Sequence, residues 1–251
     1  MNICVCGIGK AGKAIIEKIL KLSQYKLCSV ISKDGTEEIG KDLGEFLNTT
    51  YLDIPILSLY NCEREIVDKK IDIIVDFSSH TATIPLLKLC NKVNSKLIIC
   101  TTNHSELTIE EIKKFTLENK LGVIYAPNLT LGINLLMDFV ADLSKILLDF
   151  DFEIIERHCK DKPKITTTAK IISKKINRGD INISSVRVGG YVGIHEVTCA
   201  NENERITIIH ESFTRQAFAN GAMLAVDFIK DKKGFYLMDD VINELKKNRG
   251  V

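Results

Sequence analysis

Through the first half of the chain, short apolar runs alternate with segments whose apolar residues recur at helical spacing. The runs at residues 3–6, 26–32, 71–77, 96–101 and 122–126 are rich in Ile, Val, Leu and Cys. Continuous runs of this kind read as strands buried on both faces. Residues 13–22, 81–91 and 108–118 read as helices, the last opened by a Thr-x-x-Glu capping box from Thr108 to Glu111. Buried strands alternating with helices predict a parallel sheet covered on both sides. Ligands of such sheets collect beyond the carboxyl ends of the strands. After Pro127 the pattern changes. A long apolar helix is expected at 132–148, a strand at 151–157, a loop at 162–168 and a short basic helix at 168–177. Strand-like runs follow at 181–188, 195–200 and 205–211 with little helix between them, which predicts an antiparallel or mixed sheet. Helical spacing returns at 216–229. The expected organisation is an α/β domain over 1–127, completed by 216–251, and a smaller α+β domain over 128–215.

The first strand runs directly into Gly7-Ile8-Gly9-Lys10-Ala11-Gly12, glycines spaced G-x-G-x-x-G at a strand-to-helix junction. In that layout Gly7 permits the sharp turn and Gly9 lets backbone approach a pyrophosphate. Gly12 lets the helix pack close to the sheet, and the phosphates meet the N–H groups of the helix N-terminus. The expectation is a Rossmann-type, doubly wound dinucleotide-binding domain. NAD-selective sites usually place an acidic side chain at the end of the second strand. Here Ser32-Lys33-Asp34 stands there, and Lys33 can pair with a 2′-phosphate, so NADPH is the expected cofactor with NADH tolerated.

Composition narrows the class further. The formal charge of +1 argues against broad electrostatic attraction to nucleic acid or an anionic membrane. No apolar run reaches membrane-spanning length, and no secretory signal pattern opens the chain. Several of the eight cysteines, among them Cys4, Cys6, Cys28 and Cys100, lie inside apolar runs where a thiol acts as a small hydrophobe. No paired C-x-x-C set suggests zinc. A reduced, cytoplasmic protein without a metal is expected.

Motifs spread along the chain agree with one family. They are the glycine turn, Val75-Asp76-Phe77-Ser78, Cys100-Thr101-Thr102-Asn103, Ala126-Pro127-Asn128 and Gly132-Ile133-Asn134. Glu156-Arg157-His158-Cys159, Lys162, Thr166-Thr167-Thr168-Ala169, Arg187-Val188-Gly189, Gly193-Ile194-His195 and the tail Arg215 to Ala222 continue in order. The sequence resembles the dihydrodipicolinate reductases, which reduce 4-hydroxy-tetrahydrodipicolinate in lysine and diaminopimelate biosynthesis. The resemblance implies that His158 is the acid and that Lys162 holds a carboxylate and stabilises charge on the ring nitrogen. It also implies substrate contacts at Cys159, Thr166, Thr167 and Thr168. Cofactor contacts fall at the glycine turn, Ser32, Lys33, Phe77, Ser78, Cys100, Thr101, Thr102, Ala126, Pro127 and Asn128. A homotetramer built through the second domain's sheet is implied as well.

The chemistry of these residues is compatible with those roles. Imidazole is the side chain most easily poised near neutral pH. The threonines precede a helix, where hydroxyls and N–H groups can cradle a carboxylate or simply cap the helix. Asp76 fits a loop-capping carboxylate equally well. Three departures stand out: Cys159 replaces a second histidine, the substrate loop is shortened, and Cys100 and Asn103 replace both glycines of a Gly-Thr-Thr-Gly segment. They leave open a paralogue acting on a related cyclic imine, an amino-acid dehydrogenase on the same scaffold, or a nucleotide-binding regulator.

Overall fold

The computed structural model describes residues 1–250, which fall into two compact units, 1–129 with the chain from 218 onward, and 130–217. The first unit opens with β1 (Asn2–Cys6), α1 (Lys10–Leu20), β2 (Lys26–Ser32), α2 (Leu43–Leu47), β3 (Ile56–Ser58) and α3 (Glu63–Asp68). It continues through β4 (Ile73–Asp76), α4 (His80–Val93), β5 (Lys96–Ile99), α5 (Glu106–Glu118) and β6 (Gly122–Tyr125). The second unit holds α6 (Leu131–Ile146), β7 (Asp151–His158), α7 (Thr167–Ile176), β8 (Asn182–Arg187), β9 (Gly193–Ala200) and β10 (Arg205–Ser212). The chain then supplies α8 (Gln216–Ile229), β11 (Gly234–Leu237) and α9 (Met238–Arg249).

In the first unit seven parallel strands run in the order β11-β6-β5-β4-β1-β2-β3. The period of two explains why both faces need cover. Ile3 and Val5 of β1 pack into one layer with Ile15 and Ile19 of α1 and Val226 of α8. Cys4 and Cys6 point the other way, into a layer with Leu86, Leu87 and Cys90 of α4 and Ile112 of α5. Each fully buried Ile or Leu contributes about 1.5–3 kcal/mol. The thiols fill space rather than react: burial pushes Cys4 up to about 12. Strand order reverses at β1, whose neighbours are β4 and β2, and that reversal opens a crevice at the carboxyl ends of β1 and β4. This is a Rossmann-type sheet.

The second unit is a mixed four-stranded sheet in the order β10-β9-β7-β8, with β7 and β8 parallel and the other pairs antiparallel. Alternate residues of the strands, Ile154, Val197 and Ile208 among them, face α6 and α7 and bury Ile133, Val140, Ile172 and Ile176. The same inward face of β7 and β9 then turns polar, at Glu156, His158 and His195.

Some expected boundaries move. The capping box at Thr108 and Glu111 does not open a helix. Instead α5 starts at Glu106, and Ser105 is its cap, with Oγ accepting from the Thr108 N–H at 3.1 Å. The polar residues Ser105 and Glu106 hid this start, because apolar periodicity begins only after them. Helix α1 starts at Lys10 rather than 13, so Lys10, Ala11 and Gly12 form its first turn. Segments α2, β3, α3, β11 and α9 had no expectation. The first three are too short to show a period, and α9 buries little beyond Met238, Val241 and Ile242.

Candidate functional site

In the first unit the glycine turn lies at the strand reversal. Gly7 has φ +104°, and a Cβ there would stand 2.6 Å from the Phe77 carbonyl oxygen. Two strand ends therefore touch backbone to backbone. A Cβ on Gly12 would lie 1.9 Å from the Gly7 carbonyl oxygen, so the helix lies directly on the turn. Gly9 is different. Its φ of −66° suits any residue and a Cβ would meet nothing within 4 Å. It is the cap of α1, yet no side chain caps that helix, and its first turn has no acidic residue. Uncapped N–H groups beside open space can receive an anion such as a pyrophosphate.

The rim around this turn is built by hydrogen bonds. Asp76, at the end of β4, is fully buried and accepts from the Ser78 N–H (3.0 Å), the Ser78 hydroxyl (2.5 Å) and Thr83 (3.2 Å). Burial raises its carboxyl to about 6 despite those bonds. Asp76 thus caps the loop carrying Phe77 and Ser78. Thr83 continues to the Thr101 hydroxyl at 3.1 Å and to His104 Nε2 at 3.0 Å, and burial keeps the His104 ring below its ordinary value. Cys100 is buried and Thr102 half-buried. Asn103 takes φ +69°, a left-handed conformation that Asn tolerates where a glycine was expected. Ala126 is buried and Pro127 and Asn128 are half-buried, just past the end of β6. At the end of β2 the Ser32 hydroxyl is buried against Thr36 Oγ1 at 3.0 Å, and Lys33 is exposed. Ser32 is therefore spent on the turn, and the accessible charges there are Lys33 and its neighbour Asp34, both exposed.

In the second unit Glu156, His158 and His195 are brought together by register. Glu156 pairs with His195 across β7 and β9, and His195 pairs with His210 across β9 and β10. Glu156 is fully buried and accepts from the Thr166 hydroxyl (2.5 Å), the Thr166 N–H (3.1 Å), Ser185 (2.9 Å) and Arg187 Nη2 (2.5 Å). Burial alone would raise this carboxyl, but the bonds from Thr166, Arg187 and Ser185 outweigh it and hold it below the usual range. His158 Nδ1 stands 3.1 Å from the Val192 carbonyl oxygen. A carbonyl only accepts, so Nδ1 carries the proton, and Nε2 of the neutral ring is bare. Among the described residues Nε2 has no hydrogen-bond partner, and it lies 4.0 Å from Glu156 Oε2. His195 Nε2, also unpartnered, lies 3.7 Å from the same oxygen, and the two rings meet edge to face at 5.2 Å. Burial lowers His158, and it lowers His195 to about 3.

Donor atoms of Glu156, His158 and His195 all lie within 4.8 Å of one another. The set suits a hydrogen-bonding group better than a cation. Its spacings exceed the roughly 3.4 Å edges implied by zinc bonds of 2.0–2.1 Å. The guanidinium on Glu156 would also repel a metal.

The remaining expected substrate residues lie along one loop. Cys159 is half-buried, with its N–H donating to Tyr191 O at 3.2 Å, and Lys162 is exposed. The Thr166 side chain is fully committed: its hydroxyl donates to Glu156 and accepts from the Ala169 N–H at 3.2 Å as the cap of α7. Of the three threonines, Thr167 and Thr168 form the helix N-terminus itself. Arg187 ties this loop down, donating to the carbonyls of Lys162, Pro163 and Lys164 as well as to Glu156. Gly193 makes room for the His158 ring, since a Cβ there would lie 2.7 Å from His158 Cε1.

Glu156, Arg187 and His195 were visible as motif letters without a role. The one local signal was Glu156 two residues before His158, which puts both on one face of a strand. Pairing with Arg187 and His195 depends on sheet register that no short window reveals.

Two family models match the chain. "Dihydrodipicolinate reductase, N-terminus" covers residues 1–129, and "Dihydrodipicolinate reductase, C-terminus" covers 132–242. The 4-hydroxy-tetrahydrodipicolinate reductase of Methanocaldococcus jannaschii is 31% identical over 98% of this chain and 99% of its own length. That of Thermosipho africanus is 39% identical over 69% of this chain and 79% of its own. Among solved structures, a dipicolinate-bound dihydrodipicolinate reductase from Paenisporosarcina sp. TG-14 superposes with a TM-score of 0.76 at 24% identity, over 94% of this chain and 97% of that one. An amine dehydrogenase from Mycobacterium smegmatis shares the fold at a TM-score of 0.66 and 11% identity, over 93% of each chain.

Proposed function

Because the chain belongs to the dihydrodipicolinate reductase family, we propose that it reduces 4-hydroxy-tetrahydrodipicolinate to tetrahydrodipicolinate with a nicotinamide nucleotide, as a step in lysine and diaminopimelate biosynthesis. The overall change takes up one hydride and one proton and releases one water. A bound reduced nicotinamide supplies the hydride. The first unit holds the nucleotide: the turn from Gly7 to Gly12 takes the pyrophosphate, and Phe77, Ser78, Cys100, Thr101, Thr102, Ala126, Pro127 and Asn128 line the strand ends toward the nicotinamide. The second unit holds the dicarboxylate. Lys162 meets one carboxylate and the helix N-terminus at Thr167 and Thr168 meets the other, with Cys159 on the same loop. His158 delivers the proton from Nε2. The observation that carries this reading is the buried imidazole of His158, whose Nδ1 proton is anchored on Val192 so that the other nitrogen is left for proton transfer.

NADPH is the preferred nucleotide, supported by Lys33 standing exposed directly after β2, whose last residue, Ser32, occupies the place where NAD-selective sites carry an acid; exposed Asp34 follows it. Assembly is a homotetramer through the outward face of the second sheet, where Val186 and Ile209 are exposed, the latter at 61%. The reduced, cytoplasmic setting fits eight free cysteines, most of them buried.

Steady-state kinetics test this reading. His158→Ala is expected to lower kcat by about 100-fold or more with nucleotide binding intact. Lys162→Ala is expected chiefly to raise KM. Unchanged rates in both variants would remove the assignment.

A further inference from the structure

Two ring nitrogens of the second unit, Nε2 of His158 and Nε2 of His195, are buried without a hydrogen-bond partner and both stand near one carboxylate oxygen. A neutral imidazole is a base through its bare nitrogen, whereas the proposed reaction needs an acid there. The proton has to arrive before it can be delivered.

The charges facing His158 show when that happens. Glu156 lies on its own strand, Lys162 on the loop after that strand and Arg187 on β8, with His195 beside it on β9 and His210 beyond on β10. Arg187 contacts Glu156 at 2.5 Å, so that pair is nearly neutral. Burial then favours neutral rings, and it lowers His158, His195 and His210 alike. A dicarboxylate brings two negative charges, of which Lys162 offsets one. The charge left over favours an imidazolium, and in a buried site its effect is weakly screened.

We propose that binding of a dicarboxylate to the second unit takes up one proton, which enters on His158 Nε2 beside the Glu156 carboxylate and the His195 ring. The substrate thereby charges its own acid. This rests on the reading that the second unit grips the dicarboxylate. Nδ1 cannot take the proton, since it already carries one for Val192. His195 is the positioning residue: its ring braces the edge of His158 and keeps Nε2 turned toward Glu156.

Calorimetry with pyridine-2,6-dicarboxylate as the probe, on the full chain at pH 7.5 in HEPES and in Tris, reads the proton number from the dependence of heat on buffer ionisation. About one proton taken up per ligand bound is expected. His158→Gln is expected to bind the probe with an uptake near zero. Nitrogen NMR of the wild-type histidine rings provides a readout that needs no variant. The bare Nε2 signal of His158 should become an N–H signal on saturation. Binding without proton uptake, or uptake that persists in His158→Gln, would overturn the inference while leaving the substrate reading intact. Absence of probe binding to the wild type would instead overturn the substrate reading, and this inference with it.

Discussion

Three glycines in one turn have three different reasons to be glycine. Gly7 needs its φ of +104° and Gly12 needs the space that the Gly7 carbonyl fills, whereas Gly9 has ordinary backbone and open surroundings. Alanine at Gly12 is therefore expected to cost about 2–3 kcal/mol or more through forced backbone movement. Alanine at Gly9 should leave the melting temperature within about 2 °C, because φ and space both allow it, yet weaken nucleotide binding about tenfold or more. Thermal melts beside fluorescence titrations separate these outcomes, and full affinity in Gly9→Ala would move the pyrophosphate elsewhere. Lys33→Ala is expected to weaken NADPH about tenfold with little effect on NADH, following the loss of one cation beside a 2′-phosphate. Equal losses would reject the NADPH preference. This turn was legible in the sequence because its chemistry is local and its spacing is fixed by one strand-to-helix junction. The double commitment of the Thr166 hydroxyl was not legible, because one of its partners, Glu156, lies ten residues back on another element.

At the scale of elements, the clamp formed by Glu156 and Arg187 fixes the loop between β7 and α7. The loop has little core of its own: residues 161–165 are exposed, and Arg187 holds three of their carbonyls. Removing the guanidinium leaves a fully buried carboxylate without its counter-charge, a loss of about 3–5 kcal/mol. Arg187→Leu is expected to show that loss in denaturant unfolding, and Arg187→Leu with Glu156→Gln should recover a large part of it. Purely additive losses in the double variant would argue that the pair does not act as a unit. The strands of this unit were legible from alternation along each run, but their order was not. Residue alternation gives a strand's face, whereas β7 sitting between β9 and β8 depends on pairings between distant segments.

For the whole molecule, acid is the condition that opposes the fold. His104, His158, His195 and His210 are held below their ordinary values by burial, with His195 at about 3. A ring that stays neutral when folded but protonates when unfolded contributes stability that is complete above about 6.5. That stability is lost as pH falls toward the folded value. Asp76 runs the other way. Its folded value of about 6 gives stability that is full below about 3.8 and lost as pH rises through 6. Four rings against one carboxyl predict a melting temperature that falls between pH 7 and pH 5, and a flat or rising profile would contradict the burial of these rings as neutral groups. The exposed Val186 and Ile209 on the outward face of the second sheet lead to a further expectation. Ile209→Asp should shift sedimentation from a tetramer toward smaller species, and an unchanged profile would place the interface elsewhere.

The most direct measurement follows nicotinamide absorbance while the purified protein meets freshly generated 4-hydroxy-tetrahydrodipicolinate. The account predicts NADPH oxidation matched mole for mole to substrate, faster than with NADH and abolished in His158→Ala. Tight nucleotide binding with no oxidation of either cofactor would contradict it.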